Sequence, residues 1–368
     1  MLKQFAFSYL LAYMFFLSLC LGGLFFVMLH HLFDASWSVT IRRLLEHLAF
    51  LMPVMALLYL PLALLAPQIY PWWHPAHVDH SLRAKIAWLN PTTFYLRAAL
   101  YLAIWSWLAY KLRYWSLQQD KTGAARCTFK MRKFSYVGIF LFAATLTGAA
   151  IDWIKSLEHE WYSTMFGVYF FASCAWTTTA TVYVITLLLQ RAGPLRGLVT
   201  PTMYYYIGSV LLAFTVFYAY IHFAQYFIIW NANVPEETFW YVLRERGTWW
   251  DIGMVIVFGH FLVPFLALLR IDVKTRFWWM ASLGVWAWLM NYADLAFNIM
   301  PPLHPDNFVL HPFDLLCLVF IGGVLTQVYR KYLAAHPAYP LRDPRLKEAL
   351  TQHELRPAEA ALPGGIAE

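Results

Sequence analysis

The chain has 368 residues, of which 61% are hydrophobic and 13% are charged. A soluble globular domain carries about twice that charged fraction, so the composition excludes this class of protein. The formal net charge of +7 does not indicate nucleic-acid binding, because the basic residues collect in the short loops on one side of the predicted membrane spans.

Nine charge-poor segments are long enough to be predicted as transmembrane helices. The first has no cleavage site after a short apolar core, so we expect it to be retained as a span. The third is the weakest because Arg97 interrupts it. In chain order the nine segments are 5–29, 48–66, 94–112, 134–155, 161–190, 204–230, 251–269, 277–298 and about 314–330. The predicted fold class is therefore all-α, a polytopic membrane protein.

The loops between nine spans divide into two sides, and most of the 27 Lys and Arg residues lie on the side of the C-terminus. The positive-inside rule then places the C-terminus in the cytoplasm and the N-terminus outside. Residues 1–336 are predicted to form the membrane domain. Residues 337–368 are rich in Ala, Pro and charge, and we expect a loose cytoplasmic tail.

Cysteine and histidine spacing gives no firm metal site. The four cysteines lie far apart without a C-x-x-C motif, which excludes iron–sulfur and c-type haem ligation within this chain. The predicted outer loop 70–80 holds two Trp and three His residues and is open to two interpretations, a metal site or an anchor at the headgroups. The prolines and the Trp pair favour the anchor; its residues are Trp72, Trp73, His74, His77 and His80.

Four aspartates fall near the outer edge of four different spans: Asp152, Asp251, Asp294 and Asp314. Ionisable groups in a membrane are costly and usually face the protein interior. A common depth predicts one shared polar layer that takes up and releases protons. As alternatives, Asp152 pairs with Lys155, and Asp251 and Asp314 are residues of helix N-termini at the headgroups.

The sixth span carries a polar stripe on its outer half, formed by Tyr218, His222, Gln225 and Tyr226 at helical spacing. Thr145 on the fourth span, and Asn291 and Asn298 beside Asp294 on the eighth, extend this polarity. Two further patterns have alternative interpretations. His222 and His260 are a candidate pair for a b-type haem. The threonines at 177–179 and 181 either line a water path or bond back to their own helix.

Three stretches resemble one family. The segments DWIKSLEHEWYSTMFG (152–167) and YAYIHFAQYFIIWNANVPEET (218–238), together with residues 11–32, are similar to the F subunit of bacterial alternative complex III, a member of the polysulfide reductase membrane-subunit superfamily. The resemblance implies two four-helix bundles, at about 5–155 and 161–298, with the ninth helix outside them. The family has ten spans and 11–32 resembles its second, so either this member is naturally shorter or its start is assigned too late.

The resemblance also implies a function. It predicts an inner-membrane subunit of a quinol-oxidising respiratory complex that passes electrons to cytochrome c or a terminal oxidase. The implied partners are an iron–sulfur subunit, a multihaem cytochrome, a paralogous quinol-binding membrane subunit and lipids. No cofactor is expected to be bound covalently or through metal ligands, and quinol or menaquinol is the expected small molecule.

The predicted proton path consists of residues at family-motif positions and of Asp251, which comes from the aspartate layer. Its members are Asp152, Glu158, His159, His222, Tyr226, Asp251 and Asp294. His222 and Tyr226 are also the candidate quinone ligands, because imidazole and phenol can hydrogen-bond a quinone headgroup. Two functions of other classes are alternatives. One is a proton-coupled secondary transporter, and the other is a structural anchor for a periplasmic redox subunit.

Overall fold

The computed structural model describes residues 1–75 and 77–349. Within these ranges the chain is about 82% helical and contains no strand. The helices, in chain order, are α1 Leu2–Phe33, α2 Val39–Ala49, α3 Met52–Ile69, α4 His80–Lys85, α5 Pro91–Thr122, α6 Ala125–Trp153, α7 Phe166–Ala192, α8 Pro201–Ala232, α9 Pro235–Arg244, α10 Thr248–Val255, α11 Val263–Leu269, α12 Ile271–Thr275, α13 Phe277–Ile299 and α14 Pro312–Ala335.

Seven segments among the described residues are long and apolar enough to cross a membrane. The helix α5 falls short by hydropathy because Arg97 and Lys111 interrupt its apolar stretch, and α13 falls short because it carries Asn291 and Asp294. The seven segments are Leu2–Phe33, Val39–Ile69, Ala125–Trp153, Phe166–Ala192, Pro201–Ala232, Thr248–Leu269 and Pro312–Ala335. The prediction of a polytopic helical membrane protein is confirmed at this level.

Helix α1 lies at the centre of the molecule. Its most apolar window is 94% buried, and it packs against α2, α3, α6, α7, α13 and α14. A helix that is apolar on all sides is expected in such a position. Gly22 allows a close approach to α7, since a Cβ there would lie 2.2 Å from Thr178 Oγ1. Thr178 donates a 3.1 Å hydrogen bond to the Leu19 carbonyl, which ties the two helices together.

The segment Thr248–Leu269 is not a regular α-helix. Residues Ile256–Leu262 form a π-helix between α10 and α11, and Pro264 follows at the start of α11. A π-helix inserts an extra residue into the helical ladder and is frequent at functional sites. His260 lies within it and is fully buried.

The tail differs from the sequence expectation over residues 337–349. Asp343 and Arg345 are buried, Asp343 pairs with Arg42 on α2, and the Leu341 amide donates to Asp120 on α5. The charges that suggested a loose segment are neutralised by charges on the helices, so this part packs on the bundle. The rest of the predicted tail, 350–368, lies outside the described residues.

Candidate functional site

The buried carboxylate of Asp294 on α13 is held by two tyrosines from neighbouring helices. Asp294 is 1% exposed. Tyr218 on α8 donates a 2.8 Å hydrogen bond to its Oδ1, and Tyr169 on α7 donates to the same oxygen. Among residues 1–75 and 77–349, Asp294 forms no ion pair. A buried carboxylate that accepts hydrogen bonds but pairs with no cation can gain and lose a proton without leaving a buried cation unpaired.

Further amides and hydroxyls extend this contact along α13. Asn298 donates a 3.1 Å hydrogen bond to the Tyr169 hydroxyl. One turn on the other side of Asp294, Asn291 accepts a 2.6 Å hydrogen bond from Ser173 on α7 and lies 3.4 Å from Ser18 on α1. The polar face predicted for this helix therefore turns toward α1, α7 and α8 and away from lipid.

A cavity of about 500 Å³ lies beside this group, between α8, α9, α10, the π-helix and the end of α13. The predicted stripe on α8 forms one wall, with Tyr218, His222 and Tyr226 facing the cavity. Gln225 is not part of the lining: it accepts a 2.7 Å hydrogen bond from Ser163 and donates to the hydroxyl of the cavity residue Tyr241 over 3.1 Å. The remaining wall is mostly apolar and aromatic: Ala219, Phe223, Tyr241, Trp250, Gly253, Met254, Ile256, Val257, Phe261 and Phe297, with Arg244 and Glu245 at one end.

This cavity reaches the lipid-facing surface of the helices. Phe223, Trp250 and Val257 line it and are also 62%, 49% and 46% exposed. Ligand sites typically combine apolar walls with a few polar groups that converge on one region. Tyr218 supplies that convergence, because its hydroxyl contacts Asp294 and lies 3.4 Å from His222 Nδ1.

His260 supports the cavity wall from behind. Its ring stacks on Tyr218, with centroids 3.6 Å apart and planes inclined by 7°, and it contacts Trp176 with a centroid distance of 3.9 Å. Both ring faces are thus covered by side chains. This packing favours a structural role for His260 over ligation of a haem.

An ion pair closes one end of the cavity. Arg244 on α9 is 1% exposed, and its Nη2 donates a 2.7 Å hydrogen bond to Glu158 Oε2. Its Nε also donates to the Phe297 carbonyl over 2.9 Å. The predicted residue Glu158 is therefore paired with a cation that lines the cavity, and the sequence pattern did not indicate this partner.

Asp152 belongs to a separate cluster on α5 and α6. It is fully buried and pairs with Arg97, with contacts of 2.8 and 3.0 Å. Trp88 and Tyr101 donate hydrogen bonds of 2.7 and 3.1 Å to the same carboxylate. The cation that pairs with Asp152 is thus Arg97, and the alternative partner, Lys155, is not in contact with it. In the sequence, the charge of Arg97 only weakened the prediction of the third span.

The other predicted residues lie elsewhere. Asp251 is exposed. Asp314 accepts from the His311 amide in a capping box at the start of α14 and from Ser8 over 2.5 Å, as expected of a helix N-terminal residue. His159 contacts Asp79 over 2.9 Å. The structure therefore does not bring the four aspartates together, and it joins only Asp294 to the stripe of His222 and Tyr226.

Two smaller expectations can be compared with the structure. In the described part of the loop 70–80, Trp72 and Trp73 pack against Phe94. The one group of possible metal ligands among the described residues is Asp79, His159 and Glu160. Thr177, Thr179 and Thr181 donate to carbonyls four residues earlier on their own helix, as one of the two alternatives predicted.

A buried ionic cluster at the other end of the bundle was not foreseen. Arg42 and Arg43 are fully buried, although the sequence suggested a loop. They pair with Glu46, Asp120 and Asp343. Helical spacing of Arg42 and Glu46 is the one sequence signal that indicates part of this cluster.

No protein-family model matches the sequence, and no curated protein has a sequence that is significantly similar to it. The resemblance to the F subunit of alternative complex III stays a prediction from the sequence.

Proposed function

We propose that the chain is a membrane subunit of a quinol-oxidising respiratory complex of the alternative complex III type, and that the cavity beside α8 takes a quinone headgroup. The observation that supports this most directly is the position of Tyr218. Its hydroxyl connects the cavity wall at His222 with the buried carboxylate of Asp294, so a group in the cavity has a short hydrogen-bonded route to a proton acceptor.

The lining suits a molecule with a polar head and an apolar chain. A quinone headgroup needs hydrogen-bond partners for its two oxygens, and His222 and Tyr226 offer an imidazole and a phenol. The aromatic and aliphatic side chains of the remaining wall fit an isoprenoid tail. The exposed rim at Phe223 and Val257 allows entry directly from the bilayer.

The roles of the protein groups follow from their contacts. Oxidation of a quinol releases two protons and two electrons. In this proposal His222 accepts a proton in the cavity, and Tyr218 passes it to Asp294 by exchanging its own hydroxyl proton. Asp294 can accept it because it forms no ion pair with any described residue, whereas Asp152 is paired with Arg97. We therefore assign proton transfer to Asp294 and a structural role to Asp152.

The finer organisation belongs to the same proposal. We propose nine spans, the seven apolar segments plus α5 and α13, arranged as two four-helix bundles with α14 outside them. The N-terminus is placed in the periplasm and the C-terminus in the cytoplasm of an inner membrane. Electrons leave through an iron–sulfur subunit and a multihaem cytochrome toward cytochrome c or a terminal oxidase.

The binding step can be tested on the purified full-length chain in lipid nanodiscs. Binding of a short-tailed menaquinone analogue is measured by the quenching of tryptophan fluorescence, since Trp250 lines the cavity. The double variant His222→Leu/Tyr226→Phe should weaken this binding by about tenfold or more, since each lost hydrogen bond to a ligand is worth about 1 kcal/mol. Tyr220→Phe, which changes a 64% exposed residue on the same helix, is the matched control. Equal affinity in all three proteins would contradict the proposed site.

A further inference from the structure

A second cavity, of about 210 Å³, lies at the end of the molecule where α6 stops. It is formed by the end of α4, the turn that follows it, and the 3₁₀ turn Lys155–Glu158 after α6. Its lining contains two cations, Lys85 and Lys155, beside His159, Ser156, Trp88, Leu89 and Ile151. It is separate from the cavity on α8 and has no part in the proposed function.

Among the described residues, neither lysine has a carboxylate partner. Lys85 donates a hydrogen bond to the backbone carbonyl of His159, and Lys155 makes no hydrogen bond or ion pair to any of the described residues. Both ammonium groups contact the ring of Tyr162, with Nζ 3.8 and 5.3 Å from its centroid. Two positive charges thus converge on one small cavity, and neither forms an ion pair within the described part of the chain.

Three nearby carboxylates are engaged with other groups, and a fourth, on the exposed Glu160, lies within 4.8 Å of the ligand atoms of Asp79 and His159. Asp152 is bound by Arg97, Asp79 by His159, and Glu158 by Arg244. Burial, and in addition the charge of Lys85, lower the pKa of Lys155 to about 8. An anion in the cavity would reverse both effects, because it would solvate Lys155 and neutralise the repulsion.

The position of the cavity indicates where such an anion would come from. Trp88 and Tyr162 border the lysines and are 46% and 47% exposed, and exposed Trp and Tyr are enriched at the membrane–water interface. Lysine is a common phosphate ligand that acts as a point charge.

We propose that the cavity between Lys85 and Lys155 binds a phosphate group, either of a phospholipid headgroup in the outer leaflet or of free inorganic phosphate. Both lysine ammonium groups contact the phosphate oxygens, and the Ser156 hydroxyl and Trp88 complete the lining.

The test uses the purified full-length chain after delipidation in detergent. Retention of phosphatidylglycerol after exposure to vesicles is measured by native mass spectrometry, and binding of radiolabelled inorganic phosphate is measured by equilibrium dialysis. The double variant Lys85→Gln/Lys155→Gln should reduce binding of one of these two probes by about tenfold or more. Arg83→Gln, an exposed cation on the same short helix, should bind as the unmodified chain does.

The two arms identify the source of the phosphate. Lysine-dependent retention of phosphatidylglycerol alone shows a lipid site, and lysine-dependent binding of inorganic phosphate shows a free-anion site. If the double variant keeps its helical circular dichroism spectrum and binds both probes as the unmodified chain does, the proposal is overturned. The same holds if the unmodified chain binds neither probe.

Discussion

The Tyr218 hydroxyl lies 2.8 Å from Asp294 Oδ1, and so a residue of the cavity wall on α8 contacts the buried carboxylate of α13. Tyr218 is itself 1% exposed and stacks on His260, which fixes the direction of its hydroxyl. This contact connects the cavity wall with a buried carboxylate that forms no ion pair with any described residue. It distinguishes Asp294 from the other aspartates of the spans.

Removing the Tyr218 hydroxyl should interrupt this connection. Tyr218→Phe keeps the ring stacked on His260 but leaves Asp294 with Tyr169 as its remaining tyrosine donor. We expect proton release during quinol turnover to slow by about a hundredfold, the scale of a lost general acid–base group. The measurement is pH-indicator release by the purified complex in a single turnover. An unchanged rate, equal to that of Tyr220→Phe, would exclude Tyr218 from the path.

Filling the cavity should block quinone binding without touching its polar groups. Ala219 lines the cavity, and Ala219→Phe adds a ring where the headgroup would lie. Ala213, on the same helix, is exposed and outside the lining, so Ala213→Phe is the matched control. We expect affinity for a menaquinone analogue to fall by about tenfold or more in the first variant alone. If both variants bind alike, the analogue occupies another place.

The Asp152 and Arg97 pair predicts a stability effect rather than a functional one. Asp152→Asn leaves Arg97 beside a neutral partner in a buried site, and breaking a buried pair typically costs about 3 kcal/mol. Arg97→Gln in addition removes the stranded charge, so the double variant should be more stable than Asp152→Asn. Thermal unfolding of the chain in detergent measures this order. A double variant less stable than the single one would show that the charges do not act as a pair.

The contact between the tail and the bundle should resist moderate acid. Burial alone would raise the pKa of Asp343, but His30 and the guanidinium groups of Arg42 and Arg345 outweigh it and hold that pKa well below its usual range. A carboxyl whose pKa is lowered by folding contributes stability above its unfolded pKa of about 3.9, and this stability is lost as the pH falls below that value.

The rate of amide hydrogen exchange in residues 341–349, corrected for its intrinsic pH dependence, should therefore be constant between pH 7 and 5. This rate should rise below pH 4. Asp343→Asn should show fast exchange throughout the range. Loss of protection already between pH 6 and 5 would mean that a histidine, and not Asp343, controls the contact.

The sequence was sufficient for the fold class and for part of the site. Composition and long apolar segments specify a helical membrane protein, and helical spacing placed Tyr218, His222 and Tyr226 on one face, which the structure shows at one cavity wall. Spacing on α13 likewise related Asn291 and Asn298 to Asp294, and both lie in its polar face.

The contacts between helices could not be predicted in the same way. Periodicity tells which residues share a face, but it does not tell which faces meet. The pairing of Asp152 with Arg97 spans 55 residues, and that of Arg42 with Asp343 spans 301. The π-helix at Ile256–Leu262 contains Gly259, which lies so close to α13 that a Cβ there would be 2.4 Å from Met290 Sδ, and periodicity indicates neither feature.

The proton role of Asp294 is the central claim, and one substitution in the purified complex tests it most directly. Asp294→Asn keeps an acceptor for both tyrosines, and Asp306→Asn, at an exposed aspartate away from the site, is the control. Quinol oxidation and proton release are recorded on the same sample with an artificial electron acceptor. We predict that Asp294→Asn lowers proton release per quinol while Asp306→Asn leaves it unchanged. Full proton release at the unmodified rate in Asp294→Asn would contradict the account.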